Sequence, residues 1–234
     1  VQNKKVERTA DYYFLPGRHV LVARRQARQR ASHRLLQTAK RRVATLAHVP
    51  GVRALYLTGS LAVANASVHD DIDLMVIASP HRLWLTRLLL TLVTTLRGWR
   101  RTPGATKVHA KVCLNLYLTE GSYALPPSKR SLYTAYELIQ AVPIYDPSNT
   151  RAALLAANAW LYDYLPHAPS PKITKFRTLQ NTTARNFWSR LLDVAELLAY
   201  HLQYAYMRPK MTREYVTKEA AFFHPHDPTP PALQ

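Results

Sequence analysis

The sequence predicts an α/β fold: a small mixed sheet with flanking helices over residues 50–145, a basic helix before it (19–49) and a helical C-terminal region after it (146–234). Three observations predict this. Residues 52–58 and 71–77 are short apolar runs bounded by turn formers, Pro50-Gly51 and Gly59 around the first, Ser79-Pro80 after the second. Residues 108–119 form a third run of the same kind. Around them, apolar residues recur every three or four positions, the spacing of a helix with one buried stripe.

The elements follow in order. Residues 1–18 read as the tail of an N-terminal element, with 11–15 a short strand closed by Pro16-Gly17. The chain starts at Val1 without Met and carries no apolar leader, so a truncated reading frame is expected. Ala27, Ala31, Leu35, Ala39 and Val43 recur every four residues and predict one helix over 20–48. Residues 52–58 are then a strand, 61–66 a short helix and 71–77 a second strand. Residues 81–96 predict a buried helix, Leu-rich but too short for a bilayer, which needs about 20 residues. Residues 97–104 are a basic loop with an aromatic in it; such a loop can stack a base and hold phosphates, and the favoured reading is a solvated loop with Trp99 folded back. Residues 108–119 are the third strand, with 131–141 and 151–165 as helices that pack Trp160 and Tyr164. Residues 166–171 are a Pro-rich linker. A helix over 183–207 is barred from spanning a membrane by Arg190, Asp193 and Glu196. Its apolar faces suit packing on the sheet domain or a dimer. The tail from Phe222 holds His224-Pro225-His226-Asp227, where the prolines favour an extended surface segment over a metal site.

Composition adds two bounds. The one cysteine, Cys113, excludes an intramolecular disulfide framework and, in an apolar strand, reads as a buried thiol. With no leader, a reducing cytoplasm is the expected location. The charge is large: 32 Lys and Arg against 14 Asp and Glu, a net +18. Between Tyr12 and His69 there is no acidic residue, while Arg24, Arg25, Arg28, Arg30, Arg34, Lys40, Arg41 and Arg42 crowd one helix. Such a field raises the local concentration of nucleic acids and nucleotides. Nucleic-acid binding through Arg24, Arg25, Arg28, Arg30 and Arg34 is one reading. A general Arg-rich bias of the chain is the other, and both stay open.

The chemistry concentrates in Leu57-Thr58-Gly59-Ser60, ten further residues, and Asp71-Ile72-Asp73-Leu74. Asp71 and Asp73 stand two apart on a strand, so both leave the same face. Neighbouring carboxylates repel unless a cation lies between them, and hard oxygen ligands favour Mg²⁺, with Mn²⁺ as the alternative. Gly59 lets the backbone approach a phosphate closely, and Ser60 offers a hydroxyl where a helix starts.

This string resembles the signature of the polymerase-β-type nucleotidyltransferase superfamily. Wider stretches, Tyr12-Tyr13-Phe14-Leu15-Pro16-Gly17-Arg18 and Leu83-Trp84-Leu85-Thr86-Arg87, look like bacterial proteins known only as nucleotidyltransferases. The resemblance implies transfer of NMP from an NTP to an acceptor, with one or two Mg²⁺ ions held by Asp71 and Asp73 and phosphates held by Gly59 and Ser60. It also implies a third carboxylate on a neighbouring strand. Residues 108–119 carry no Asp or Glu. Asn115, expected on the same face as Cys113 and Tyr117, is the candidate for that catalytic position, with Ala110 as the other place for a lost acid. Glu137, on a helix beyond the sheet, suits a surface or capping role better than that of a base. An amide can ligate a metal but cannot act as a base. The sequence therefore supports an enzyme and, as the alternative, a non-catalytic nucleotide- or nucleic-acid-binding module of the same fold.

Overall fold

Strands without alternation of polar and apolar residues need cover on both faces, and helices from both ends of the chain supply it. The computed structural model describes residues 5–102, 104–169, 187–211 and 214–223. A small hairpin, β1 (Glu7–Thr9) and β2 (Tyr12–Phe14), precedes helix α1 (Val20–Leu46). Then come β3 (Val52–Leu57), the single turn α2 (Gly59–Ala62), β4 (Ile72–Ala78), α3 (Leu83–Leu96) and β5 (Val112–Thr119). The chain continues through α4 (Leu132–Gln140), β6 (Val142–Tyr145), α5 (Thr150–Ala157) and α6 (Leu161–Tyr164). It closes with α7 (Phe187–Met207), β7 (Tyr215–Val216) and β8 (Ala220–Phe222).

The architecture is the mixed α/β fold with flanking helices that the sequence predicts. Its main sheet has six strands in the order β6-β3-β4-β5-β8-β7, with β4 and β5 parallel and the other neighbours antiparallel. Leu55, Leu57, Leu74 and Val76 face the core packed by α1, α3 and α7. Ala54, Tyr56, Met75 and Ile77 face the opposite core, packed by α4, α5 and α6. Period-two alternation then puts Asp71 and Asp73 on the second side, with Met75 and Ile77.

The β4–β5 register slips at one point. Leu74 pairs with Leu114 but Met75 pairs with Leu116, which leaves Asn115 as an extra residue. A bulge of this kind flips the alternation that follows it. Leu116 and Leu118 consequently join the α4–α6 core, while Tyr117 is buried on the other side. Asn115 and Tyr117 thus lie on opposite faces, which corrects the expectation of a shared face.

Other boundaries differ for physical reasons. β4 begins at Ile72, one residue after Asp71, and α2 spans one turn from Gly59 where a helix over 61–66 was expected. β5 begins at Val112; Ala110 sits before it in a left-handed turn (φ +54°) that the Cβ disfavours, so it holds no strand position. Ala27 is exposed, and burial of α1 begins at Ala31. The single helix expected over 151–165 is broken at Asn158. Its buried amide takes the Leu154 and Tyr123 carbonyls and accepts from the Leu125 N–H and Trp160 Nε1. A side chain that satisfies backbone groups competes with helix continuation. The sheet also reaches past residue 145: Phe222, expected in a tail, pairs with Leu116 in β8. Residues 170–171, 183–186 and 224–227 lie outside the described residues.

α7 is locked to α3 by a borrowed cap. Arg82 at the start of α3 makes no side-chain cap, and Glu196 of α7 accepts from the Trp84 and Leu85 N–H groups, both at 2.8 Å. The far side of α7 leaves Leu191, Val194, Leu198 and Leu202 exposed. Among the described residues, no helix is long and apolar enough to cross a membrane.

Candidate functional site

The site forms where β3 ends beside the start of β4. The Thr58 N–H donates to the Asp73 carbonyl at 3.1 Å, bringing the turn after β3 against β4. Gly59 adopts φ +62°, and a Cβ placed on it would come within 2.7 Å of Asp73 Oδ2. Only glycine satisfies both demands. The sequence pattern of turn and carboxylates is therefore one packed unit.

Ser60 serves the neighbouring loop in this state. Its hydroxyl donates to Asp70 Oδ2 at 2.7 Å, and the Ser67 N–H and Oγ donate to the same carboxylate at 3.0 and 2.5 Å. Burial alone would raise the Asp70 pKa, but the Ser67 and Ser60 hydrogen bonds and the nearby Arg28 hold it below the ordinary carboxylate value. The Ala110 N–H donates to the Asp70 carbonyl at 2.9 Å, tying this loop to the turn before β5. Asp70 thus sets the spacing between Ser60 and the two following carboxylates.

Asp71 and Asp73 converge as expected from their shared face, but their third companion is Cys113. One oxygen of each carboxylate and Cys113 Sγ all lie within 4.8 Å of one another. Cys113 pairs directly with Asp73 across the parallel β4–β5 ladder. Asn115, displaced onto the bulge, donates Nδ2–H to Asp73 Oδ1 at 3.1 Å, and its own Oδ1 is buried with no hydrogen-bond partner among the described residues. Arg101, on the loop before β5, reaches Asp71 Oδ2 at 2.6 Å.

The electrostatics follow from this crowding. Burial, then the charges of Asp71 and of Glu137 on α4, push the Asp73 carboxyl up to about 7; the Cys113 S–H and Arg101 oppose the rise. Burial and the same two aspartates push the Cys113 thiol up to about 12. The thiol therefore stays protonated at neutral pH and serves Asp73 as a donor. Glu137 is close enough to act on Asp73 because α4 covers the sheet face from which Asp73 emerges, a proximity that a helix placed beyond the sheet did not suggest.

The residue types fit a divalent cation in part. Two carboxylates that share one face, beside a glycine that leaves them room, are a hard-oxygen pair. The third corner is a thiol and an amide, neither of which supplies the negative oxygen of a three-carboxylate set.

The basic helix runs beside this site. Arg25 donates to the Ala64 carbonyl at 2.5 Å and reaches Val63 and Asn65, so it holds the end of α2. Arg24, Arg30 and Arg34 are exposed. Trp99 packs on the α1–α3 core with Arg42 and Arg97 stacked against its ring, 5.3 and 5.5 Å from the centroid, as expected of an aromatic that folds back.

Two residues escaped the sequence reading. Cys113 carried a signal, since it lies two before Asn115 on a strand beside the carboxylates. Arg101 was read only as part of the basic loop 97–104; its contact with Asp71 had no local signal, because it depends on the pairing of Arg100 and Arg101 with Val112.

No known family profile matches the chain, and no curated protein does. One chain of similar shape belongs to a solved structure described as the crystal structure of the toxin-antitoxin with AMP-PNP. It is 14 % identical and covers 54 % of this chain and 88 % of its own, with a TM-score of 0.31. A likeness of that size carries no argument about activity.

Proposed function

We propose that this chain is a metal-dependent nucleotidyltransferase that moves an NMP from an NTP to an acceptor. The observation that supports the reading best is the convergence of one oxygen each of Asp71 and Asp73 within 4.8 Å, with Gly59 pressed against Asp73. In this reading Asp71 and Asp73 hold Mg²⁺ or Mn²⁺. Such an ion, when bound, neutralises charge on the attacking and leaving oxygens of an in-line displacement. Gly59 and Ser60, at the turn after β3, are the residues proposed to position the phosphates, the missing Cβ of Gly59 leaving room for the Asp73 carboxylate beside them. Asp73, part protonated near neutrality without metal, gives up its proton when it becomes a ligand.

Asn115 keeps its proposed place beside Asp73, where it orients that carboxylate and cannot take a proton. Cys113, protonated, cannot take one readily either. Glu137 is the acid whose charge acts on Asp73 from the facing helix, and it is the group proposed to receive the acceptor's proton. The exposed Arg24, Arg30 and Arg34 would attract a polyanionic acceptor to the protein by counterion release. Arg25 and Arg28 are committed to the turn after Gly59 and to the field at Asp70.

The second reading, a binding module without turnover, is favoured by one specific observation. Among the described residues, the third corner of the cluster is Cys113 and not a carboxylate. Incubation with α-labelled and, separately, γ-labelled NTPs, Mg²⁺ and a cell extract decides between the two. Nucleotidyl transfer labels an acceptor from the α-position only. Metal-dependent nucleotide binding with no label transferred assigns the chain to the binding module.

A further inference from the structure

Arg101 stands where a cation is wanted. Its Nη1 lies 2.6 Å from Asp71 Oδ2 and 3.8 Å from Cys113 Sγ, so the guanidinium rests on the edge of the carboxylate–thiol cluster. The Asp71 side chain is only 11 % exposed, while that of Arg101 is 42 % exposed. The arginine therefore covers the carboxylate from the solvent side.

Its backbone and its side chain are held very differently. The Arg101 N–H donates to the Val112 carbonyl at 2.9 Å, the Val112 N–H donates to the Trp99 carbonyl at 2.6 Å, and Arg100 bridges Val112. The backbone is thus an extension of the sheet beside β5. Among the described residues, Asp71 is the oxygen acceptor that tethers the tip of this side chain. A side chain with a fixed root, an exposed stem and one ionic contact can exchange that contact without moving the fold.

We propose that Arg101 is a nucleotide-phosphate ligand that occupies Asp71 in the free protein and exchanges it for the triphosphate when a divalent cation takes the carboxylate. The proposal rests on the divalent-cation reading of Asp71 and Asp73. A guanidinium and a divalent ion on one carboxylate repel each other, so loading Asp71 weakens the arginine's hold there. The same event brings phosphate oxygens to the cluster, and a guanidinium binds these with two parallel hydrogen bonds. Arg101 then has opposite effects on two ligands: it competes with the metal alone and assists the nucleotide.

Those opposite signs are the test. Mn²⁺ alone, and then a non-hydrolysable ATP analogue in saturating Mn²⁺, are titrated calorimetrically into wild type, Arg101→Gln and Arg101→Lys. For Arg101→Gln, Mn²⁺ alone should bind tighter and the analogue weaker, each by about tenfold, the worth of one charge-assisted contact. Arg101→Lys, which keeps the charge and loses the fork, should fall between the two on both measures. Weaker Mn²⁺ binding in Arg101→Gln would show that the arginine orients Asp71 for the metal, and would overturn the proposal. Unchanged analogue affinity would overturn it as well. If wild type binds Mn²⁺ and both variants match it throughout, Arg101 has no part in the site although the metal reading stands. If no protein binds Mn²⁺, the metal reading itself fails and this proposal with it.

Discussion

Asp73 Oδ2 lies against Gly59 so closely that a Cβ on the glycine would stand 2.7 Å from it, at a backbone φ of +62°. The glycine therefore fixes both the turn and the direction of the carboxylate. Gly59→Ala should lower stability by about 1–3 kcal/mol through left-handed strain and the displaced carboxylate. Urea unfolding measures the stability, and Mn²⁺ affinity should fall in the same variant. A variant with wild-type stability and wild-type Mn²⁺ binding would show that the close approach is dispensable.

Asp73 should make the metal-free protein sensitive to pH. Its carboxyl is raised to about 7 in the folded chain, against about 3.9 when unfolded. Between those values the native state binds the extra proton, so stability is greatest at low pH and falls as pH rises toward 7. Asp73→Asn should flatten that part of the curve, as read by thermal unfolding in chelator across pH 4–8. The same proton must leave when Asp73 becomes a metal ligand, so Mn²⁺ affinity should rise with pH up to about 7.

The third corner can be tested by restoring the absent charge. Cys113→Asp places a carboxylate opposite Asp73 in register, whereas Asn115→Asp places one on the bulge. Cys113→Asp should tighten Mg²⁺ binding by about tenfold, a hard oxygen replacing a protonated thiol. It should also destabilise the metal-free protein through like-charge repulsion. Asn115→Asp should raise affinity less. Magnesium titrations on both variants rank the two positions, and a larger gain at Asn115 would return the third position to the bulge.

Much of this arrangement was legible in the chain. Gly59, Asp71 and Asp73 could be placed together because a turn between two apolar runs and a period-two pair of acids are both local patterns. Asn115 donates to Asp73, yet it lies on the face opposite Tyr117, where strict alternation predicts a shared one. One extra residue in the β4–β5 ladder reverses the alternation, and nothing in the 112–119 run marks where that happens. β6 and β8 went unread because each is a few residues long and gains its strand character from pairing with β3 and β5. Pro143 in β6 also argues against a central strand, and β6 is an edge. The break at Asn158 rests on bonds to Tyr123 and Leu125, more than thirty residues away. No local window holds that information.

That break carries its own expectation. Asn158 is fully buried and serves two carbonyls and two donors. Asn158→Ala leaves the Leu125 N–H and the Tyr123 carbonyl without partners and should cost about 2–4 kcal/mol. Thermal unfolding should show the loss while Mn²⁺ affinity changes little, since none of the Asn158 partners belongs to the carboxylate cluster.

The central claim is that Asp71 and Asp73 together hold a divalent ion that brings in a nucleotide. Mn²⁺ binding followed by electron paramagnetic resonance, with and without a non-hydrolysable ATP analogue, tests it in wild type, Asp71→Asn and Asp73→Asn. These variants keep side-chain shape and remove one ligand charge each. Because the loss of an outer-shell partner alone costs about 10–100-fold, each variant should weaken Mn²⁺ binding by at least about a hundredfold and abolish the tightening by the analogue. Undiminished Mn²⁺ and analogue affinity in both variants would contradict the account.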